Sequence, residues 1–165
     1  MSPYRPDLVD VWLFHIDPDR GLEILLLRRS PQRTLAGLWQ GVSGRLEDDE
    51  SIVDGALREL REETGLVPAD LEAFYDLDQV NSFHVAALDG VVTAAVFAAR
   101  LGPETAIGLS HEHDRSEWVD ASEALRRSVW PAYRESVARI RDHLVDPELA
   151  RWFTLETPAP GRPTR

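Results

Sequence analysis

Glu59, Glu62 and Glu63 stand at i, i+3 and i+4 in a segment that reads as a helix. At about 100° per residue, Glu59 and Glu62 lie about 60° apart and Glu59 and Glu63 about 40° apart, so the three carboxylates share one stripe. That stripe borders the apolar arc of Ile52, Ala56 and Leu60, and Glu63 falls inside its edge. Like charges at this spacing cost roughly a few tenths of a kcal/mol even when exposed. Half-buried, they cost more, and one is driven to keep its proton. A divalent cation removes the conflict, since Mg²⁺ takes hard oxygen ligands from carboxylates, water and phosphates. Three glutamates alone leave the alternative of a solvated acidic helix face open.

The elements that must position these groups are legible in outline. Ser51–Thr64 is the helix: Ser51 with Asp54 resembles a cap, Asp48, Asp49 and Glu50 suit the positive end of the dipole, and Gly65 is a stop. Val9–Ile16 is almost continuously apolar and suits a central strand covered on both sides. A turn at Asp17–Gly21 leads to a second strand, Leu22–Leu27, ending at Arg28 and Arg29. A polar loop, Ser30–Leu38, precedes a short strand at Trp39–Val42. Phe83–Ala87 and Val91–Leu101 read as strands joined at Asp89-Gly90. Ser122–Arg127 is a short helix, and Pro131 opens another whose inner face is Tyr133, Val137, Ile140 and Leu144. The fold class is therefore mixed α/β, with helices packed on both sides of a sheet.

The chain has 165 residues, enough for one domain, taken as residues 1–156, with 157–165 (TPAPGRPTR) having the composition of a disordered tail. A net charge of -11 disfavours nucleic-acid polymers as partners, while a small polyphosphate can be carried in by a cation or held by local arginines. No apolar run is long enough for a membrane span, and Met1–Asp10 shows no secretory pattern. There is no cysteine, which removes disulfides and thiol chemistry. A cytoplasmic location is the expectation. Oligomeric state is not readable.

The stretch GRLEDDESIVDGALRELREETGL, Gly44–Leu66, resembles a complete Nudix box, the signature of a hydrolase family. Gly44, Glu50, Arg58, Glu59, Leu60, Glu62, Glu63, Gly65 and Leu66 match that pattern without departure. The resemblance implies a Nudix-like α/β/α sandwich with a mixed central sheet flanked by helices. It implies that Glu59, Glu62 and Glu63 coordinate Mg²⁺, or Mn²⁺, and that Glu59 in some relatives handles the attacking water. Glu50 would support the metal cluster, Arg58 would orient a glutamate of the box, and the Ser43 carbonyl, just before Gly44, would be a further ligand. The implied reaction is water attack on a phosphorus of a diphosphate linkage.

Leu38–Gly44 (LWQGVSG) and Ser110–Trp118 (SHEHDRSEW) are similar to the dihydroneopterin triphosphate pyrophosphatase branch of that family. There the matching glutamate joins the metal site from a loop, which makes Glu112 an extra ligand or the general base. An ordinary exposed acid is the alternative. Arg28 and Arg29 match basic residues that touch substrate phosphates in relatives. Trp39 is a candidate for substrate stacking, with packing the commoner role for a tryptophan. Asn81, Phe83 and His84 are positioned to line a base pocket, and His111 and His113 flank Glu112 as exposed loop residues.

The expected activity is pyrophosphohydrolysis of a nucleoside triphosphate or dihydroneopterin triphosphate, giving a monophosphate and pyrophosphate. The alternatives are ADP-ribose, dinucleoside polyphosphates or another nucleoside diphosphate derivative as substrate, or a non-catalytic domain that senses a nucleotide.

Overall fold

The computed structural model describes residues 3–157. Its centre is β1 (Leu8–Asp17), whose residues alternate between two covered faces. Val9, Val11 and Leu13 enter one core cluster with Ala56, Leu57 and Leu60 of α1 (Ile52–Thr64). Trp12 and Phe14 enter a second with Tyr133 and Val137 of α3 (Pro131–Arg139). Cover on both faces is why a nearly unbroken apolar run reads here as a strand.

Around β1 the sheet is mixed. β2 (Gly21–Arg29) and β4 (Val42–Arg45) pair with it antiparallel, and β6 (Gly90–Leu101) pairs with it in parallel. With β3 (Trp39–Gln40), β5 (Leu71–Val85) and β8 (Thr154–Leu155), the strand order is β3-β2-β1-β6-β5-β8. β7 (His113–Asp120) pairs with β2. The helices α2 (Ala121–Arg127) and α4 (Pro147–Ala150) lie near α3, which continues through a π-helical turn at Ile140–Leu144. This is an α/β fold with helices on both faces of a mixed sheet.

α1 begins and ends where its sequence signals. The Ser51 hydroxyl accepts from the Asp54 amide at 3.1 Å, and Gly65 takes the left-handed conformation, φ 75°, that closes the last turn. Two strands differ from the sequence reading. β5 starts at Leu71 rather than Phe83, because a bulge between Asp76 and Gln79 breaks its alternation. The stretch after Glu112, read as loop, is β7, a mostly polar strand that gains its place by pairing with β2. The segment Trp39–Val42 divides at Gly41, where a Cβ would lie 2.7 Å from the Val11 carbonyl. The expected tail from residue 158 onward lies outside the described residues. No helix among the described residues is long and apolar enough to cross a membrane.

Phe14 is fully buried against Tyr75. Phe14→Ala is expected to destabilise the fold by about 3–5 kcal/mol, read as a lower midpoint in denaturant unfolding.

Candidate functional site

The site is built where β4 faces α1. Antiparallel pairing sets Gly44 opposite Val9, on the α1 side of the sheet. A Cβ at Gly44 would stand 1.9 Å from the Glu59 carboxyl carbon, so only glycine lets that carboxylate lie on the strand. Gly55 does the same for Glu50 near the start of α1, where a Cβ would stand 2.8 Å from Glu50 Oε1.

Arg58 holds the acidic stripe together. Its Nε and Nη2 donate to the two Glu50 oxygens at 3.0 and 2.7 Å, and Nη1 donates to Glu59 at 2.8 Å and Glu62 at 3.3 Å. Nη2 also donates to the Arg45 carbonyl at 2.8 Å, tying α1 to β4. The Glu47 amide donates to Glu50 as well. Glu50 is thus engaged in holding Arg58 and sits beside the other carboxylates rather than among them.

Glu63 lies deepest, 2% exposed. Its Oε1 accepts a long bond from the Ser43 amide, and its Oε2 is buried with no hydrogen-bond partner. Burial, with the negative charge of Glu112 and Glu59 added, pushes its carboxyl up to about 9. Burial raises Glu59 too, helped by Glu62 and Glu112 and opposed by Arg58. Below Glu63, His113 Nδ1 is 3.5 Å from Oε2 without making a hydrogen bond. Burial drives His113 down to about 4, so it is neutral and supplies no balancing charge.

Glu112 reaches this cluster through backbone anchors. The Ser110 amide donates to the Glu63 carbonyl at 3.1 Å, and the Ser30 amide to the Glu112 carbonyl at 2.9 Å. The loop is therefore pinned to the end of α1 on one side and the end of β2 on the other. Arg33 donates to Glu112 at 3.2 Å and contacts His111, fixing the carboxylate's direction. Glu59 and Glu112 are near enough to raise the Glu63 carboxyl, and exposed Glu62 borders Glu59; these are hard oxygen ligands of the kind Mg²⁺ takes, with their atoms spread more widely than those of His15, Asp17 and Glu23.

The other sequence candidates divide. Arg29 donates to the Thr34 carbonyl, and its charge is felt at Glu63 and His113. Arg28 points to the α3 side, where it forms a bidentate pair with Asp114 at 2.8 Å and lies over Trp39. Arg127 lies over the Trp39 ring as well, at 5.1 Å, so two guanidinium groups contact that ring. Asn81 donates to buried Asp10, and Phe83 packs on the α3-side core, whereas His84 is exposed and alternation turns it to the other face. His113 is buried in β7 rather than exposed in a loop.

Asp10 was not singled out by sequence, and only pairing across the fold brings His113 against Glu63. Asp10 accepts from Asn81 and stands opposite Ser43 of β4, and burial pushes it up to about 6. A second acidic group, His15, Asp17 and Glu23, lies at the opposite end of β1. Arg20 already spans both of its carboxylates, and His15 Nε2 is 2.6 Å from Glu23, so these oxygens have partners.

Residues 7–140 match the NUDIX domain family. The octanoyltransferase of Myxococcus xanthus is 42% identical over 119 residues, which cover 70% of this chain and 31% of that protein. The chain thus spans under a third of that relative. The CTP pyrophosphohydrolase of Escherichia coli (strain K12) is 30% identical over 122 residues, covering 69% of this chain and 78% of that one. Among solved structures, the E. coli dihydroneopterin triphosphate pyrophosphohydrolase superposes with a TM-score of 0.67 at 25% identity, covering 82% of this chain and 94% of that chain.

Gly44→Ala is expected to displace the Glu59 carboxylate and leave the fold intact. Titration calorimetry with Mg²⁺ should show affinity reduced about 10- to 100-fold, with an unchanged circular dichroism spectrum.

Proposed function

The chain belongs to the NUDIX family, hydrolases acting on nucleotide phosphoanhydrides, and on that premise we propose that it is a Mg²⁺-dependent pyrophosphohydrolase of a nucleoside triphosphate or dihydroneopterin triphosphate. The observation that carries the reading is buried Glu63, which has an oxygen without a donor and has Glu59 and Glu112 near enough for their charge to raise it. Support for a triphosphate comes from the names of the CTP and dihydroneopterin triphosphate relatives.

In this reading Glu59, Glu62 and Glu63 hold the cation, with the Ser43 carbonyl beside them. When bound, Mg²⁺ supplies positive charge that offsets the phosphates and acidifies adjacent water. Arg58 keeps the helix carboxylates fanned in place, and Glu50 keeps Arg58 there. Arg29 and Arg33, at the mouth of the cluster, meet the substrate's negative charge; Arg28 and Trp39 brace the wall on the α3 side. Glu112 accepts the proton of the attacking water. The water oxygen bonds to phosphorus, the bond to the bridging oxygen breaks, and that oxygen leaves with its electron pair on pyrophosphate.

The test is turnover of a panel holding dihydroneopterin triphosphate, nucleoside triphosphates, ADP-ribose and diadenosine polyphosphates, with products separated by chromatography. Glu63→Gln is expected to lower turnover by more than about 100-fold, beyond the loss of a supporting partner. Glu112→Gln is expected to lower kcat by about 10²–10⁴ if it takes the proton. Undiminished activity in the first variant would refute the cation site; wild-type kinetics in the second would return the proton to another group. Binding of one compound with no turnover of any would replace the hydrolase with a nucleotide sensor.

A further inference from the structure

β7 breaks its alternation where it meets the carboxylates. Along its regular part, Val119 enters the core on the α3 side, and Trp118 packs against the core on the α1 side. Unbroken alternation would therefore turn Asp114 toward α1 and His113 away from it. Pairing with β2 decides otherwise. Arg115 lies opposite Arg28 and His113 opposite Arg29, which leaves Asp114 as the extra residue of a β-bulge. Asp114 goes to Arg28, which donates to both of its oxygens at 2.8 Å. His113 takes the place beside Glu63. The bulge thus keeps a carboxylate away from Glu63 and supplies an imidazole instead.

The exchange sets polar atoms against each other without partners. Glu63 Oε2 and both ring nitrogens of His113 are buried and make no hydrogen bond. Nδ1 and Oε2 are 3.5 Å apart. A shift of about 0.5 Å would bring them within hydrogen-bond distance. The main chain already holds the two residues together: the His113 amide donates to the Ser110 carbonyl at 3.3 Å, and the Ser110 amide to the Glu63 carbonyl at 3.1 Å. Packing alone does not account for a histidine here, since unpartnered buried nitrogens destabilise and a leucine of similar size would carry none.

We propose that His113 is a positioning residue for Glu63: its Nδ1–H donates to Glu63 Oε2 and fixes the direction of that carboxylate as a cation ligand. The inference rests on the reading of Glu63 as such a ligand. Carboxylates that bind metal are themselves held by hydrogen bonds, and losing one weakens metal affinity. Arg58 holds Glu59 and Glu62 in this way. The Ser43 amide holds Oε1 of Glu63, and His113 is the donor for Oε2.

The test is Mn²⁺ binding, read from the paramagnetic resonance signal of free Mn²⁺, alongside thermal melts in EDTA. His113→Leu is expected to bind Mn²⁺ about 10- to 100-fold more weakly than wild type. Its melting temperature in EDTA is expected to equal or exceed that of wild type, because two unpartnered buried nitrogens are gone. A residue that served only to pack would lose stability instead. His113→Asn keeps an N–H close to the position of Nδ1 and should return most of the affinity. Three results would each overturn the proposal and leave the cation site standing: unchanged Mn²⁺ affinity in His113→Leu, a His113→Leu chain that melts well below wild type or does not fold in EDTA, or His113→Asn binding no better than His113→Leu. A wild type that binds no Mn²⁺ would overturn both.

Discussion

Mutual repulsion among carboxylates is the constraint around which this molecule is arranged. Glu63 is buried with one oxygen lacking a donor, and the charge of Glu112 and Glu59 reaches it. Arg58 is shared among Glu50, Glu59 and Glu62, and does not reach Glu63. His113, the next candidate counter-charge, is held neutral by its own burial. Burial and acidic neighbours therefore keep a proton on Glu63, and a divalent cation would let that carboxylate ionise.

Rigid elements hold that arrangement against its cost. α1 is anchored by its caps and by the cluster of Ala56, Leu57 and Leu60 under β1, so its carboxylates cannot fan apart by moving the helix. β4 is fixed to β1 residue by residue, and Gly44 brings strand backbone close enough for Glu59 to lie on it. Glu112 belongs to neither element, but its loop is pinned to the end of α1 and to Ser30. Ser43 stands between Glu63 and Asp10: its amide bonds Glu63, and it pairs with Asp10 across β4 and β1.

Sequence reading reached furthest where physics is local. Capping by Ser51, termination at Gly65 and the shared stripe of glutamates all follow from residues a few positions apart, and the placement of Glu63 inside the apolar arc anticipated its burial. It fell short where the deciding partner is distant. β7 (HDRSEWVD) lacks an apolar alternation and exists because β2 offers an edge. β5 hid its first half behind Asp76, Asp78 and a bulge. The roles of Arg33 beside Glu112 and of His113 beneath Glu63 depend on a loop returning to α1, which no spacing along the chain reveals. Trp39, for which packing was the commoner expectation, has Arg28 of β2 and Arg127 of α2 over its ring, a contact between elements that spacing along the chain does not show.

The most direct measurement of the central claim is anomalous diffraction from crystals soaked in Mn²⁺, which locates a cation without reference to turnover. The account predicts an anomalous peak coordinated by Glu59 and Glu63, on the side of Glu63 that Glu112 approaches. A peak at His15, Asp17 and Glu23 instead, or none with Glu63 still buried and unpartnered, would contradict it.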